Sequence, residues 1–552
     1  MSKWIKYPLV FISAVAGLLL ILFLYLASFT GIDTPDVSNW PATDSPPVQL
    51  NENASTLGNN WIRKSNSGLW ELYVEGNPYE RGIVNGRLAR ELVHEQEEAF
   101  SEQISKMIPS EFYRKFLRYI IAWFNRDLAA HVPDEYKAEI YGVSQSASAE
   151  FNYIGSPYER ILNYHAAHDI GHALQNLALV GCSSFGVWDG KTADGSLLIG
   201  RNFDFYVGDR FAENKIVMFV KPDSGHRFMM VTWGGMIGVV SGMNNAGLTI
   251  TLNAAKSEMP KGSATPVSIL AREILQYAGN IREAYEIARK RKTFVAESFL
   301  IGSAADNKAV NIEITPDTIA IFDAGDDEII CTNHYESDLL GKTESNRQHM
   351  SESASVYRNK RLRQLIDSAS VIDPIRAAAI LRDQSGMNGK FIGYGNEKAV
   401  NQLISHHSVI FHPAKKIVWV STDPWQLGSY VAYHLDSVFA AGSSEVLSEK
   451  SDTLLTIPAD PLLKTADFSR FIEFRKLKAD AMAGADIDPV KVVQTNPKYY
   501  HAWVLAGDQY FKNKEYAKAQ EAYETALELE IASVPEERYI TNRIMEIESI
   551  LK

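Results

Sequence analysis

From residue 182 to residue 421 the chain alternates blocks of strand-type sequence with blocks of helical sequence, and that order narrows its fold most. Short apolar or alternating runs at 182–187, 196–200, 215–220, 227–233 and 248–252 are parted by Asp189-Gly190, Asp194-Gly195, Pro222-Asp223-Ser224-Gly225 and Asn244-Asn245-Ala246-Gly247. Such clusters supply the backbone conformations of tight turns, so the runs read as strands. Helical spacing follows over 266–278 and 281–291, and strands resume at 298–302, 309–314, 318–322 and 328–332. Helices near 355–366 and 374–382 precede a last strand pair at 408–411 and 417–421. A sheet must bury a face and a helix a stripe. This order therefore predicts an α+β chain with two sheets sandwiched between helical layers.

Upstream, 69–74 reads as a short strand, and Gly76-Asn77-Pro78 opens a helix with proline in its first turn. Residues 109–178 carry helical spacing with aromatic and polar faces. At the N-terminus, Lys3 and Lys6 precede an uncharged run from Tyr7 to Phe29. A run of that length predicts a transmembrane helix, with a cleaved signal peptide as the rival. Basic residues on its short side predict that all that follows is exported, to a periplasmic or extracellular location. Residues 30–60, rich in Pro, Asp, Asn and Ser, read as a polar tether.

Beyond residue 441 a linker and helix lead to 496–530. There Trp503, Ala506-Gly507, Tyr510, Ala519, Tyr523 and Ala526 fall on tetratricopeptide spacing. The stretch reads either as a partner-binding module or as a helical hairpin capping the rest. The expected division is 1–29 anchor, 30–60 linker, 61–181 helical precursor segment, 182–440 catalytic sandwich, 441–495 linker and helix, and 496–552 tetratricopeptide-like helices. A net charge of −12 and the absence of a long basic run exclude a phosphate-backbone partner, so nucleic acid is not expected.

The chain has two cysteines, too few for a disulfide framework or a spaced metal cluster. Cys182 follows a glycine at the start of a strand. It is either a small core thiol or a nucleophile. A thiol of pKa ~8.5 is mostly protonated at neutral pH and needs a base. Cleavage of the Gly181–Cys182 bond would supply one, because the freed α-amine titrates at ~7.7–8 within reach of the sulfur. The cut can proceed by an N-to-S acyl shift, with glycine on the acyl side minimising crowding. His165, His168 and His172, with Asp169, fall on one face of a helix before this point, either as a metal site or as a polar face. No His-Glu-x-x-His pattern accompanies them, and no metal is expected. Cys331 reads as a strand thiol.

Cys182-Ser183-Ser184-Phe185 with Gly200-Arg201-Asn202-Phe203-Asp204-Phe205 resembles the C45 family of acyl-coenzyme A:6-aminopenicillanic acid acyltransferases. It is also similar to the related choloylglycine (bile salt) hydrolases. Both are N-terminal-nucleophile folds with αββα layers. Val74-Glu75-Gly76-Asn77-Pro78-Tyr79-Glu80-Arg81-Gly82, with Gly86, resembles the opening of C45 precursors. The resemblance spans roughly residues 70–425. It implies Cys182 as nucleophile, with Arg201 and Asp204 holding the thiol and the α-amine. Asn253 and Asn333 match family asparagines that suit an oxyanion hole, or are strand-end turn residues. Arg358 matches a substrate-carboxylate arginine, or is a solvated side chain at a helix start. The spacing from Cys182 to Asp204 is closer to the bile salt hydrolases, whereas the long segment before Cys182 is C45-like. Substrate class therefore transfers from neither.

These readings imply a self-cleaving hydrolase or acyltransferase that moves an acyl group from a non-peptide amide or a thioester through an S-acyl enzyme. Its partner would be a small acyl amide or acyl-coenzyme A, with coenzyme A as substrate and no cofactor. The alternative is a retired family member serving as an envelope binding or assembly module through its tetratricopeptide-like tail.

Overall fold

Side chains along the strand Trp70–Gly76 face alternately into two hydrophobic clusters, Leu72 and Val74 into one and Tyr73 into the other. Period-two alternation with both faces apolar requires cover on both sides. The computed structural model, which describes residues 31–166, 169, 181–256, 262–441 and 445–552 with scattered positions between 11 and 26, supplies that cover with a second sheet and with helices. Among the described residues the larger sheet has eleven strands. Val48–Asn51, Ala54–Leu57, Asn60–Lys64 and Trp70–Gly76 lead to Ile216–Pro222, and the sheet continues through Leu248–Ala254 and Glu297–Ser303 to Ile319–Phe322. The smaller sheet of seven is ordered Glu328–Cys331, Ser183–Asp189, Gly195–Phe203, His407–His412, Ile417–Ser421, Tyr430–His434, Asp452–Ile457. All pairings are antiparallel except that of Trp70–Gly76 with Ile216–Pro222. Sequence from before Cys182 is thus built into the same sheet as sequence from after it.

The two sheets share a core. Tyr73, Phe219, Met229, Met243 and Leu300 of the larger meet Ile199, Val409, Phe411, Val420 and Tyr433 of the smaller. Behind the larger sheet, Val84, Ile140, Leu270 and Ile274 of the helices Pro78–Leu88, Asp134–Ser144 and Val267–Tyr277 meet Leu72, Met218 and Ile250. Behind the smaller one, Leu362, Ala378 and Leu381 of the helices Ser355–Asp367 and Pro374–Leu381 meet Phe185, Leu198 and Ile410.

The expected fold class needs correction at its N-terminus. No helix among the described residues is long and apolar enough to cross a membrane, so the anchor over 1–29 is not supported, nor is the exported location drawn from it. Most of positions 1–30 lie outside the described residues. A span needs an unbroken apolar helix of about 20 residues. The tether expected over 30–60 also contains the hairpin Val48–Asn51 and Ala54–Leu57, anchored by buried Ala54 and Leu57.

At the C-terminus the helices Ala466–Met482, Pro489–Thr495, Tyr500–Lys512, Tyr516–Leu527 and Val534–Leu551 share a core of Phe471, Phe474, Tyr499, Ala506, Tyr523 and Ile540. A β-carbon at Gly507 would lie 2.7 Å from the Tyr523 ring, which accounts for that pair in the sequence pattern. The same core includes Leu403 and Leu427 from loops of the sandwich. With the helices packed on those loops, a partner-binding tetratricopeptide role finds no support.

Candidate active site

Cys182 immediately precedes the strand Ser183–Asp189, which turns back through Gly195 (φ 73°) into Gly195–Phe203. The register sets Ser184 opposite Arg201 and Ser183 opposite Asn202, which brings the Arg201–Asp204 segment alongside the cysteine. Arg201 is fully buried, and its Nη2 donates to Cys182 Sγ at 3.9 Å. Nη1 donates to Val240 O at 2.8 Å and to Ser241 Oγ, Nη2 donates also to Leu252 O, and the guanidinium lies 4.4 Å from the Phe203 ring centroid. Carbonyls at the ends of neighbouring strands thus fix the arginine's orientation.

On the other side of the cysteine, Gly181 N donates to Asp204 O at 3.0 Å and Cys182 Sγ to the same oxygen at 3.9 Å. Asp204 Oδ1 accepts from Ser405 Oγ, and Oδ2 accepts from Gln402 Nε2 at 3.3 Å. The same Gln402 nitrogen donates to the Gly181 carbonyl oxygen at 2.7 Å. Burial pushes the Cys182 thiol up to about 11 against the pull of the Arg201 charge, so it is protonated at neutral pH. Burial also raises Asp204 to about 7, against the Ser405 hydrogen bond and the charges of Arg358 and Arg201. The site therefore holds a neutral thiol and a carboxyl poised to exchange a proton near neutrality.

Asn253 lies at the end of the strand Leu248–Ala254. Its Oδ1 accepts from Ser184 Oγ at 2.9 Å and its Nδ2 donates to Cys331 O at 2.9 Å. Asn333 Nδ2 donates to Ala254 O at 2.9 Å, and its Oδ1 accepts from Arg358 Nη2 at 2.6 Å. Each amide thus gives one N–H to a backbone carbonyl and retains a second. Arg358 is buried, not solvated, and its Nη1 donates to Glu397 O at 2.9 Å. The structure thus gathers Gly181, Cys182, Arg201 and Asp204 by direct contact, and joins Asn253 to Asn333 and Arg358 through the backbone of 254 and 331.

Sequence reasoning did not single out Gln402, Ser405, Ser241, His406 or His407. His407 Nε2 pairs with Ser241 Oγ at 2.8 Å, and the two Nδ1 atoms of His406 and His407 are 2.8 Å apart. Burial holds both imidazoles well below their ordinary range, so they are neutral. Their signal was the polar run Asn401-Gln402 and Ser405-His406-His407, too polar for the buried strand His407–His412 that it leads into.

His165 is buried with both ring nitrogens on backbone, Nδ1 at 2.7 Å from Ile161 O and Nε2 accepting from Ile237 N at 2.9 Å, which leaves no lone pair for a metal. Asp169 accepts from Val267 N at 3.0 Å, and His168 and His172 lie outside the described residues. Among the described residues Glu397, His501 and Glu536 bring ligand-type atoms within 4.8 Å of one another. Tyrosine hydroxyls already serve those carboxylates, Tyr499 to Glu397 at 2.8 Å and Tyr500 to Glu536. Cys331 is a buried thiol in the strand Glu328–Cys331.

The two sheets face each other between helices, and this hairpin supplies the second and third strands of the smaller one, next to its edge strand Glu328–Cys331. Residues 190–424 match the model of the family described as acyl-coenzyme A:6-aminopenicillanic acid acyl-transferase. The matched stretch includes Arg201, Asp204, Asn253, Asn333 and Arg358 and begins beyond Cys182. Among curated proteins, the chain is similar to an uncharacterized protein of Archaeoglobus fulgidus, 24% identical over 409 residues. It is also similar to Protein dcd1B of Dictyostelium discoideum, 25% identical over 271 residues. The matches cover 66% and 46% of this chain and 66% and 51% of those relatives' lengths. Among solved structures, it is similar to a Caenorhabditis elegans N-acylethanolamine-hydrolyzing acid amidase ortholog (15% identity, 42% of this chain, 93% of that chain, TM-score 0.31). It is likewise similar to a variant of the conjugated bile acid hydrolase from Clostridium perfringens (14% identity, 46% and 92%, TM-score 0.31).

Proposed function

We propose that the chain is an amidohydrolase or acyltransferase of the N-terminal-nucleophile class, activated by cleavage of its own Gly181–Cys182 bond, with Cys182 as nucleophile. The observation that carries this reading is the surroundings of Cys182. Its thiol is 1% exposed, held between Arg201 and the Asp204 backbone, with the Gly181 carbonyl as the acyl group directly joined to its own nitrogen. A sealed thiol meets no external substrate; the bond at hand is the one to its own N-terminal side.

After cleavage the α-amine of Cys182, titrating at ~7.7–8, serves as general base. Arg201 favours the thiolate, and Asp204 anchors the ammonium form. The thiolate attacks the carbonyl carbon of a small acyl amide or acyl thioester, and the leaving amine or thiol departs with a proton. The S-acyl enzyme then gives its acyl group to water or to an acceptor amine. Asn253 and Asn333, each with an N–H not given to a carbonyl, supply oxyanion donors, and Arg358 meets an anionic end of the substrate. The residue boundaries in this reading are 61–181 for the precursor segment and 182–440 for the catalytic one.

Intact mass and N-terminal sequencing of the purified full-length chain test it. Wild type is expected as associated fragments 1–181 and 182–552, the second beginning Cys-Ser-Ser-Phe. Cys182→Ala is expected as one uncut chain without amidase or acyltransferase activity. An active wild type that remains a single chain would overturn the maturation, and an active Cys182→Ala would overturn the nucleophile.

A further inference from the structure

Gln402 reaches the bond that this maturation breaks. Its side chain is 3% exposed, and one amide nitrogen donates both to the Gly181 carbonyl oxygen at 2.7 Å and to Asp204 Oδ2 at 3.3 Å. We propose that Gln402 is a catalytic residue of self-cleavage, its amide N–H stabilising the oxyanion that forms on Gly181. The inference rests on the maturation reading above and adds the group that makes the cleavage fast.

Three further observations converge on it. A β-carbon at residue 181 would meet Gln402 Nε2 at 2.2 Å, Oε1 at 2.6 Å and Cδ at 2.8 Å, so the amide lies directly over a position that only glycine leaves open. The loop that carries Gln402 is held in place. Asn202 Nδ2 donates to Val400 O at 3.1 Å, Asn401 N to Asp383 O at 2.8 Å, and Leu403, at φ 55°, gives its N–H to Asn401 Oδ1 at 3.0 Å. Finally, Asn253 and Asn333 direct an N–H to the carbonyls of Cys331 and Ala254, whereas Gln402 directs one to the Gly181 oxygen. A donor fixed in advance at the oxygen where charge develops needs no reorganisation during the reaction.

The Cys182 sulfur bonds to the Gly181 carbonyl carbon, and the carbonyl electron pair moves onto the oxygen that Gln402 holds. The pair returns, the carbon–nitrogen bond to Cys182 breaks, and the proton lost by the thiol ends on that nitrogen, now the α-amine. Water adds to the resulting thioester carbon, the carbon–sulfur bond breaks, and the sulfur regains a proton. Gly181 is left as a carboxylate, its acid proton passing to solvent.

The test follows conversion of newly made full-length chain to fragments 1–181 and 182–552 by intact mass, with Tm measured on each uncut protein. Gln402→Leu removes the donor, and Gln402→Met keeps the side chain's length without an N–H, which covers misfolding of the leucine variant. Both are expected to cleave ~10²–10³ more slowly than wild type with Tm nearly unchanged, the loss typical of one oxyanion donor. Gly181→Ala is expected to slow cleavage, by displacing the amide and by crowding the acyl shift, and to cost less on top of Gln402→Leu than it does alone, because the two share one contact. Wild-type rates in either folded Gln402 variant, or full additivity of the two substitutions, overturn the role of Gln402 and leave the maturation intact. A wild type that never cleaves removes both.

Discussion

Asp204 is buried where its proton is nearly balanced between bound and free. Burial raises it from 3.8 to about 7, while the Ser405 hydroxyl, Arg358 and Arg201 pull the other way. A carboxyl whose folded pKa is raised binds its proton more tightly folded than unfolded. Its contribution to stability is therefore full below the unfolded value of 3.8 and is lost as pH rises through about 7. Asp204→Asn, measured in a Cys182→Ala background so that both proteins stay uncut, removes that titration. The Tm gap between parent and variant should shift steadily in the variant's favour as pH rises across this window. Parallel Tm curves would show that Asp204 is ionised throughout. The proximity of Cys182, Arg201 and Asp204 was legible in the sequence because one hairpin brings all three together. Gln402 was not, because it reaches Asp204 across 198 residues and nothing local marks a glutamine for that contact.

At the scale of elements, the stretch 74–86 acts through packing. Asn77 caps the helix Pro78–Leu88 by accepting from Glu80 N at 3.0 Å, and Arg81 pairs with the buried Glu139 at 2.6 Å. Arg272, from the helix behind the larger sheet, meets the same carboxylate at 3.1 Å. Although burial works against it, these two guanidiniums hold Glu139 below its ordinary range. The glycines let the two helices approach: a β-carbon at Gly82 would sit 2.1 Å from Glu139 O, and one at Gly142 2.6 Å from Ile83 N. Gly142→Ala should therefore destabilise by ~1–3 kcal/mol through overpacking. Glu139→Gln should cost more, ~3–5 kcal/mol, because two buried cations lose their counter-charge. Urea midpoints of the uncut chain measure both, and an unshifted midpoint for Gly142→Ala would mean that the helices can part freely. Turn clusters made the strands after Cys182 legible. The strands Val48–Asn51 and Asp452–Ile457 escaped, because their apolar side chains Val48, Leu50 and Leu454 are exposed, so burial of one face does not set their pattern.

Over the whole molecule, the C-terminal helices brace the loop that carries Gln402. Arg475, on the helix Ala466–Met482, donates to Leu403 O at 3.3 Å, pairs with Asp209 and lies 4.2 Å from the Trp425 ring centroid. Further along the same loop Asn396 Nδ2 donates to Glu530 O at 2.8 Å, Lys398 pairs with Glu530 at 3.1 Å, and Tyr499 donates to Glu397 at 2.8 Å. Glu397 in turn accepts Arg358 on its backbone oxygen. Residues 396–403 are thus clamped between the terminal helices on one side and Arg358 and Asp204 on the other. An oxyanion donor is effective only while held in register, so loosening the clamp should slow self-cleavage without touching the reacting atoms. Arg475→Met keeps most of the volume while removing the hydrogen bond and the charge. Its cleavage rate should fall roughly tenfold, about 1.4 kcal/mol in barrier, less than the loss of Gln402 itself. Arg470→Met on the same helix is the control, since Arg470 is exposed and its ion pair is with Asp467 of its own helix. It should cleave as wild type does. Equal rates for Arg475→Met and wild type would show that the loop holds its register unaided. Equal slowing in both arginine variants would point to general loosening of the helix.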